Sequence, residues 1–407
     1  MALKMELQKT EVWDGNMAAS QALRQAQVDV VAAYPITPST PIVQNYGSFV
    51  ADGYIDGEFV MVESEHAAMS GCVGAAAAGG RVATATSSQG FALMIEVLYQ
   101  TSGMRLPILL NVVNRALASP LNILGDHSDM YLGRDSGWIS LCAYNPQEVY
   151  DFNLMGFKIA EDLRVRLPVM VNQDGFICSH TAQNVMPLSD DDAYKFIGDY
   201  KKHNAMLDFD RPVTYGSQTE EDWHFEHKAQ LHNAIMDSKV VIEEIFNEFE
   251  KFTGRKYNIV EKYDVEDADL IIVALGTTVE SARVASAKMR KNGLKTGVVS
   301  FRTLRPFPYK ELGEALKNAK AIAALDRSLP AGTMGMLFNE IAGCLYQVKD
   351  SKHPVISNYI YGLGGRDLTQ QLLERVYNEL DKNAKAGKLT HPAQQFLGLR
   401  GKDMGFN

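Results

Sequence analysis

Two glutamates, an arginine and a threonine are the residues whose types and spacing best suit chemistry. Glu63 and Glu65 lie two apart, after the apolar run Phe59–Val62 and directly before the small-residue stretch AAMSGCVGAAAAGG. On an extended strand, residues i and i+2 face the same side, so both carboxylates would share one cleft only if the strand ran on through them. The helix predicted by the small residues starts right behind, which leaves a single glutamate at a strand-to-helix junction. In a parallel sheet that is where ligands bind, although an acid there also suits the helix macrodipole with no ligand at all. Arg115 follows the apolar run PILLNVVN and puts a cation at another strand's carboxyl end. Its forked donors match a carboxylate, or equally a surface ion pair. Thr37, within Tyr34-Pro35-Ile36-Thr37-Pro38-Ser39-Thr40, ends a third strand in a loop stiffened by Pro35, Pro38 and Pro41. Its hydroxyl suits a substrate oxygen, or the cap of the next helix.

Other motifs carry less. Gly276-Thr277-Thr278 follows a strand and opens a helix, and Gly362–Gly365 reads GLGG, but neither fits G-x-G-x-x-G or the P-loop, so both read as tight βα turns. His224, His227 and His232 fall in a charged stretch and read as a solvated helix face. His127, between Asp126 and Asp129, reads equally as a structural or a catalytic histidine. Cys72, Cys142, Cys178 and Cys344 lie far apart with no C-x-x-C pair, so no metal site is expected on this chain and any iron–sulfur carrier belongs on another subunit.

The elements that must hold these residues alternate between strands and helices. Strands are predicted at Val28–Tyr34, Phe59–Val62, Val82–Thr86, Pro107–Val113 and Pro168–Asn172, with helices at Met17–Ala26, Leu93–Ser102 and Pro146–Leu163. That order implies a doubly wound parallel sheet. We place a first domain at residues 1–250, with a polar surface excursion near 189–239, and a second, compact α/β domain at 251–407. The second follows a long helix from about His227 to Phe252 and has strands at Leu270–Leu275, Lys295–Ser300 and Ala321–Leu325. The tail after Lys382 is expected to meander.

At 407 residues, 46% hydrophobic and 22% charged, the composition is that of a globular protein of two or three domains. Forty basic against 49 acidic side chains give a net charge of −9, which argues against nucleic-acid binding. The first ten residues have no apolar signal core and no stretch reaches eighteen apolar residues, so a cytoplasmic protein without a membrane span is expected.

Taken together, YPITPST, VESEHAAMSGCVGAA and NRALASPLNILGDHSDMYLGRDSG occur in the order and near the separations found in the alpha subunits of pyruvate:ferredoxin oxidoreductases, which the chain resembles over nearly its whole length. Ser87-Ser88-Gln89-Gly90, Asp174-Gly175-Phe176, Leu304-Arg305-Pro306-Phe307, Leu325-Asp326-Arg327 and Tyr361-Gly362-Leu363-Gly364 extend the match, whereas Ser189–Gln230 matches little. YPITPS is shared across 2-oxoacid:ferredoxin oxidoreductases; the RAL…DHSD segment points to the pyruvate branch.

The resemblance implies a pyrimidine-type thiamine diphosphate-binding domain followed by a transketolase C-terminal-like domain. It implies oxidative decarboxylation of pyruvate to acetyl-CoA and CO2, with CoA as acceptor and electrons passed to ferredoxin. A branched-chain 2-oxoacid, 2-oxoglutarate or oxalate is the alternative substrate. A beta subunit would supply Mg2+, the diphosphate ligands and a 4Fe-4S cluster, and gamma and ferredoxin-like delta subunits would complete the complex. This chain has no G-D-G, and Gly125-Asp126-His127 is its nearest approach. By the resemblance, Glu65 bonds the aminopyrimidine ring nitrogen, Arg115 holds the substrate carboxylate and Thr37 donates to its oxygens. Pro35, Ile36, Ser88 and Gln89 line the cofactor.

Overall fold

A computed structural model describes residues 9–401. The runs with continuous apolar character became the fully buried strands, as a parallel sheet covered on both faces requires. The chain divides into two units. The first comprises the chain through Ile123, Asp129–Ile259 and Arg302–Phe307; the second comprises Leu124–Ser128, Val260–Phe301 and the chain from Pro308.

The first unit contains β1 (Glu11–Trp13), α1 (Gly15–Gln25), β2 (Val30–Ala33), α2 (Thr40–Ala51), β3 (Glu58–Met61), α3 (Glu65–Ala78), β4 (Val82–Thr86), α4 (Ser88–Gly103) and β5 (Ile108–Asn114). After α5 (Ser128–Leu132) follow β6 (Ile139–Cys142), α6 (Pro146–Glu161), β7 (Val169–Asp174), β8 (Gln183–Val185), α7 (Asp190–Ile197) and α8 (Glu221–Thr253). The second unit contains β9 (Val260–Tyr263), β10 (Leu270–Val273), α9 (Thr278–Lys291), β11 (Thr296–Phe301), α10 (Tyr309–Leu316), β13 (Ala321–Asp326), α11 (Met336–Gln347), β14 (Val355–Ile360), α12 (Gln370–Ala386) and β15 (Gln394–Phe396). Between β11 and α10 the chain adds β12 (Thr303–Arg305) to the first unit.

The first unit's sheet runs β12-β6-β7-β5-β4-β2-β3, parallel except for β12. β12 comes from the segment that the sequence reading assigns to the second domain. It is anchored by Arg302, whose Nη2 donates to Glu148 Oε1 at 2.7 Å with both side chains buried, and whose backbone N–H donates to Ile259 O. A pairing of this kind has no local sequence signal. The second unit's sheet, β15-β14-β13-β10-β11-β9, is parallel except for β9.

Several expectations need correction. The tail after Lys382 continues α12 to Ala386 and then adds β15 as an edge strand beside β14. The polar stretch near 189–239 is partly packed: α7 buries Phe196 and Ile197, and Asp190 takes a bidentate contact from Arg24 at 2.7 and 2.8 Å. α4 starts at Ser88, five residues ahead of the apolar periodicity, because Ser87 and Ser88 make the turn out of β4. α8 starts at Glu221, and His224, His227 and His232 are exposed on it. Among the described residues no helix is long and apolar enough to cross a membrane.

Candidate active site

From β2 the chain steps to β3 on one side, and every later strand of the sheet lies on the other, so the topological switch point falls between β2 and β4. Registered pairing of these two strands stops after Val30–Val82 and Val31–Ala83. Beyond it the Ala32 carbonyl accepts from the Thr84 hydroxyl at 2.7 Å and lies 3.8 Å from the Cys72 thiol. The ladder therefore ends short of the strands' carboxyl ends, and the backbone there is free to diverge.

The Tyr34–Ser39 loop leaves β2 at this point. The Ile36 carbonyl accepts from the Ser39 amide and hydroxyl, both at 2.9 Å, and from the Thr40 amide at 3.1 Å. Buried Asn16 donates through Nδ2 to Pro38 O at 2.9 Å, and Arg115 Nη1 donates to Thr37 O at 3.0 Å. Gly175 packs against the same loop: a Cβ there would stand 2.4 Å from Asn114 O and 3.2 Å from Pro38 Cγ. Pro35 and Thr37 are exposed on the loop, Ile36 half-buried. The Thr37 hydroxyl has no partner among the described residues, and Ser39, not Thr37, occupies the N-cap of α2.

β3 ends at Met61, and Ser64 caps α3 by accepting from the Ala67 amide at 3.1 Å. Glu65 is thus the first helical residue, only 7% exposed, while Glu63 is exposed outside the helix. The junction separates the two carboxylates, as the short strand predicts. The Glu65 carboxylate makes no hydrogen bond or ion pair among the described residues. It lies against Gly90, where a Cβ would sit 2.5 Å from Glu65 Oε1 and 2.6 Å from Thr86 Oγ1. Thr86 Oγ1 and Ser87 Oγ are themselves buried without a partner among the described residues. A buried carboxylate and a buried hydroxyl left unbonded beside the same glycine are what a polar ligand would satisfy.

Ser88 turns the chain out of β4 with φ +50, a left-handed conformation, and its hydroxyl donates to Ala116 O at 2.5 Å. Gln89 beside it is half-buried. Arg115, at the end of β5, is 6% exposed and gives Nε to Asn122 O at 3.0 Å as well as Nη1 to Thr37 O. Burial pushes its pKa down and the Asp129 carboxylate opposes that shift; an arginine stays cationic regardless. Two of its three nitrogens are therefore engaged with backbone carbonyls, and Nη2 is the one left to meet a ligand.

The structure brings Pro35, Ile36, Thr37, Glu65, Ser88, Gln89 and Arg115 to the carboxyl ends of β2 through β5. Sequence reasoning did not find Asn16, Gly90 and Asp129 as supports, because their partners are remote backbone atoms or a carboxylate from another turn. His127 belongs instead to a segment of the second unit. There its amide donates to Arg327 O at 2.8 Å, Gly365 N donates to Gly125 O at 2.9 Å, and Asp126 accepts from the Ser128 amide at 3.0 Å and the Gly364 amide at 3.3 Å. The GLGG turn receives this segment: Gly362, Gly364 and Gly365 all have positive φ, and a Cβ on Gly365 would lie 2.5 Å from Leu124 Cβ.

A parallel α/β domain with an unpartnered buried acid at its switch point defines a ligand-binding domain of the kind that holds a nucleotide-sized cofactor. The family model for the thiamine diphosphate-binding domain of pyruvate flavodoxin/ferredoxin oxidoreductases matches residues 21–247, and that for pyruvate:ferredoxin oxidoreductase core domain II matches residues 268–373. The chain belongs to this thiamine diphosphate-binding oxidoreductase family. It is 45% identical to the pyruvate synthase subunit PorA of Thermotoga maritima, covering 95% of this chain and 97% of that one. It is 40% identical to the ketoisovalerate oxidoreductase subunit VorA of Pyrococcus abyssi, covering 95% and 97%. In fold it is similar to 2-oxoglutarate:ferredoxin oxidoreductase from Magnetococcus marinus, with a TM-score of 0.69 at 21% identity, covering 91% of this chain and 65% of that longer one.

Proposed function

We propose that this chain is the alpha subunit of a pyruvate:ferredoxin oxidoreductase, which with its partners converts pyruvate and CoA to acetyl-CoA and CO2, reversibly, and passes the electrons to ferredoxin. The observation that carries the reading is the 45% identity to a pyruvate synthase subunit across nearly the full length of both chains. The VorA relative at 40% keeps a branched-chain 2-oxoacid as the second reading.

Thiamine diphosphate supplies, when bound, a nucleophilic carbon and an electron sink for decarboxylation. The residues present fit it at its pyrimidine end. Glu65, buried and without a partner among the described residues, would hold a proton at the aminopyrimidine ring nitrogen, and Gly90 leaves the space that its carboxylate needs. Pro35, Ile36, Ser88 and Gln89 would line the ring. Arg115 would orient the substrate by giving Nη2 to its carboxylate, and the Thr37 hydroxyl would donate to a substrate oxygen.

Magnesium, the diphosphate ligands and a 4Fe-4S cluster would come from a beta subunit, with gamma and ferredoxin-like delta subunits completing a cytoplasmic complex. Two features support that division. The four cysteines are buried singly, and α3 exposes Ser70, Gly71 and Gly74, small enough for a partner's backbone to approach closely. The test is to compare the isolated chain with the reconstituted complex. The complex should reduce ferredoxin with pyruvate and CoA faster than with 2-oxoisovalerate or 2-oxoglutarate. Micromolar thiamine diphosphate affinity or stoichiometric iron in the isolated chain would refute the division between subunits, and a preference for 2-oxoisovalerate would favour the second reading.

A further inference from the structure

We propose that Asp129 is a positioning residue for the reaction, locking the turn after β4 and the turn after β5 into one rigid unit. The inference rests on the reading that Arg115 meets the substrate carboxylate and that Ser88 and Gln89 border the cofactor. Asp129 is fully buried at the start of α5. Its Oδ2 accepts from the Ser88 amide and the Arg115 amide, both at 2.9 Å. Its Oδ1 accepts from the Met130 amide at 2.7 Å and from Asn114 Nδ2 at 3.1 Å. One carboxylate thus joins the left-handed residue that turns the chain out of β4 to the residue that follows β5, adding to the strand ladder and to the bond from the Ser88 hydroxyl to Ala116 O. Asn114 is tied in turn to Asn172 Oδ1 on β7 at 3.4 Å.

The chemistry of the four donors requires a carboxylate. Both oxygens face N–H groups, so an acceptor-only side chain satisfies them all. Asparagine has the same shape but presents an NH2 on one side. In either flip that NH2 faces two donors, either the Ser88 and Arg115 amides or the Met130 amide and Asn114. A buried donor left unbonded is costly, and the turns relieve it by moving apart. Because Arg115 and Ser88 are shifted together, the loss should fall on substrate binding before it falls on the stability of the sheet.

The test uses the assembled complex with Asp129→Asn, Asn114→Ala, Arg115→Lys and the Asp129→Asn/Arg115→Lys double variant. Hydrogen exchange reads the clamp itself: peptides containing Ser88 and Arg115 should exchange at least ~10-fold faster in Asp129→Asn, with β7 unchanged. The KM for pyruvate should rise ~10-fold with a smaller change in kcat, and the double variant should show less than the product of the single effects. Unchanged exchange overturns the proposal. So does faster exchange with an unchanged KM when Arg115→Lys does raise KM, which makes Asp129 merely structural. If Arg115→Lys leaves KM unchanged as well, the assignment of Arg115 has failed and the exchange result alone judges the clamp. Should Asp129→Asn not assemble, Asn114→Ala removes one donor and should give the same pattern at ~3-fold; no change in either readout overturns the proposal.

Discussion

Replacing Gly90 by alanine should disable the enzyme while leaving the fold intact. Gly90 is helical in the first turn of α4, where alanine is favoured over glycine by ~0.5 to 1 kcal/mol. Against that, the new Cβ would stand 2.5 Å from Glu65 Oε1, 2.6 Å from Thr86 Oγ1 and 2.7 Å from Glu65 Cγ. Thr86 is β-branched and fully buried in β4, so it has little room to rotate. Glu65 is the side chain whose far end can move, and restoring ordinary contact asks it to shift by about 1 Å. Overpacking of this size opposes the helix gain by ~1 to 3 kcal/mol, so the melting temperature should fall by only a few degrees. A misplacement of about 1 Å in a positioned catalytic group is worth ~10²-fold. In the reconstituted complex, kcat/KM for pyruvate should therefore drop ~100-fold, with the thiamine diphosphate affinity weakened in parallel. Activity within threefold of wild type in a folded Gly90→Ala complex would refute the claim that the Glu65 carboxylate works from the place it occupies against Gly90.

Glu65→Gln should lower kcat by ~10²-fold or more, because an amide cannot stabilise a proton on the ring nitrogen, while exposed Glu63→Gln should stay near wild type; equal losses in steady-state assays would show the wrong carboxylate was chosen. Arg115→Leu should raise the KM for pyruvate ~10-fold or more and Arg115→Lys should recover only part, because the arginine also holds Thr37 O and Asn122 O; a thiamine diphosphate affinity that falls as far as pyruvate efficiency would assign Arg115 to the interface instead. In the second unit, burial raises the Asp326 carboxyl to about 6 from an ordinary 3.8, outweighing its bonds from the Leu337 amide, the Phe338 amide and Asn358. Its stabilising share is therefore fully present below pH ~4 and is lost as pH rises through 6, by at most roughly 3 kcal/mol. Melting of wild type against Asp326→Asn from pH 4 to 7 should show the wild-type advantage shrinking upward; a difference that grows with pH contradicts the assignment.

Much of the site was legible in linear order because each component is local. Apolar runs ended by proline or by polar residues marked the strands, and a glutamate ahead of a small-residue run marked a helix start. The separation of Glu63 from Glu65 follows from a strand too short to reach both. Strand β14, the edge strand β15 beside it and the crossing segment β12 were missed, because their pairing is with distant partners and their own residues carry weak periodicity.

What the sequence by itself determined was which side chains stand at the carboxyl ends of which strands, since hydrophobic period, proline and helix capping are properties of neighbours in the chain. What only the tertiary structure decided was their support and their freedom. The Asp129 carboxylate reaches two turns from other strands, Gly90 is needed because Glu65 from a different helix lies against it, and the fork of Arg115 is largely taken by the carbonyls of Thr37 and Asn122. The Asp126–His127 segment, which looks chemical in sequence, is bonded to the Gly364 amide and the Arg327 carbonyl. Each of these depends on the distance between atoms far apart along the chain, which residue type and local spacing do not encode.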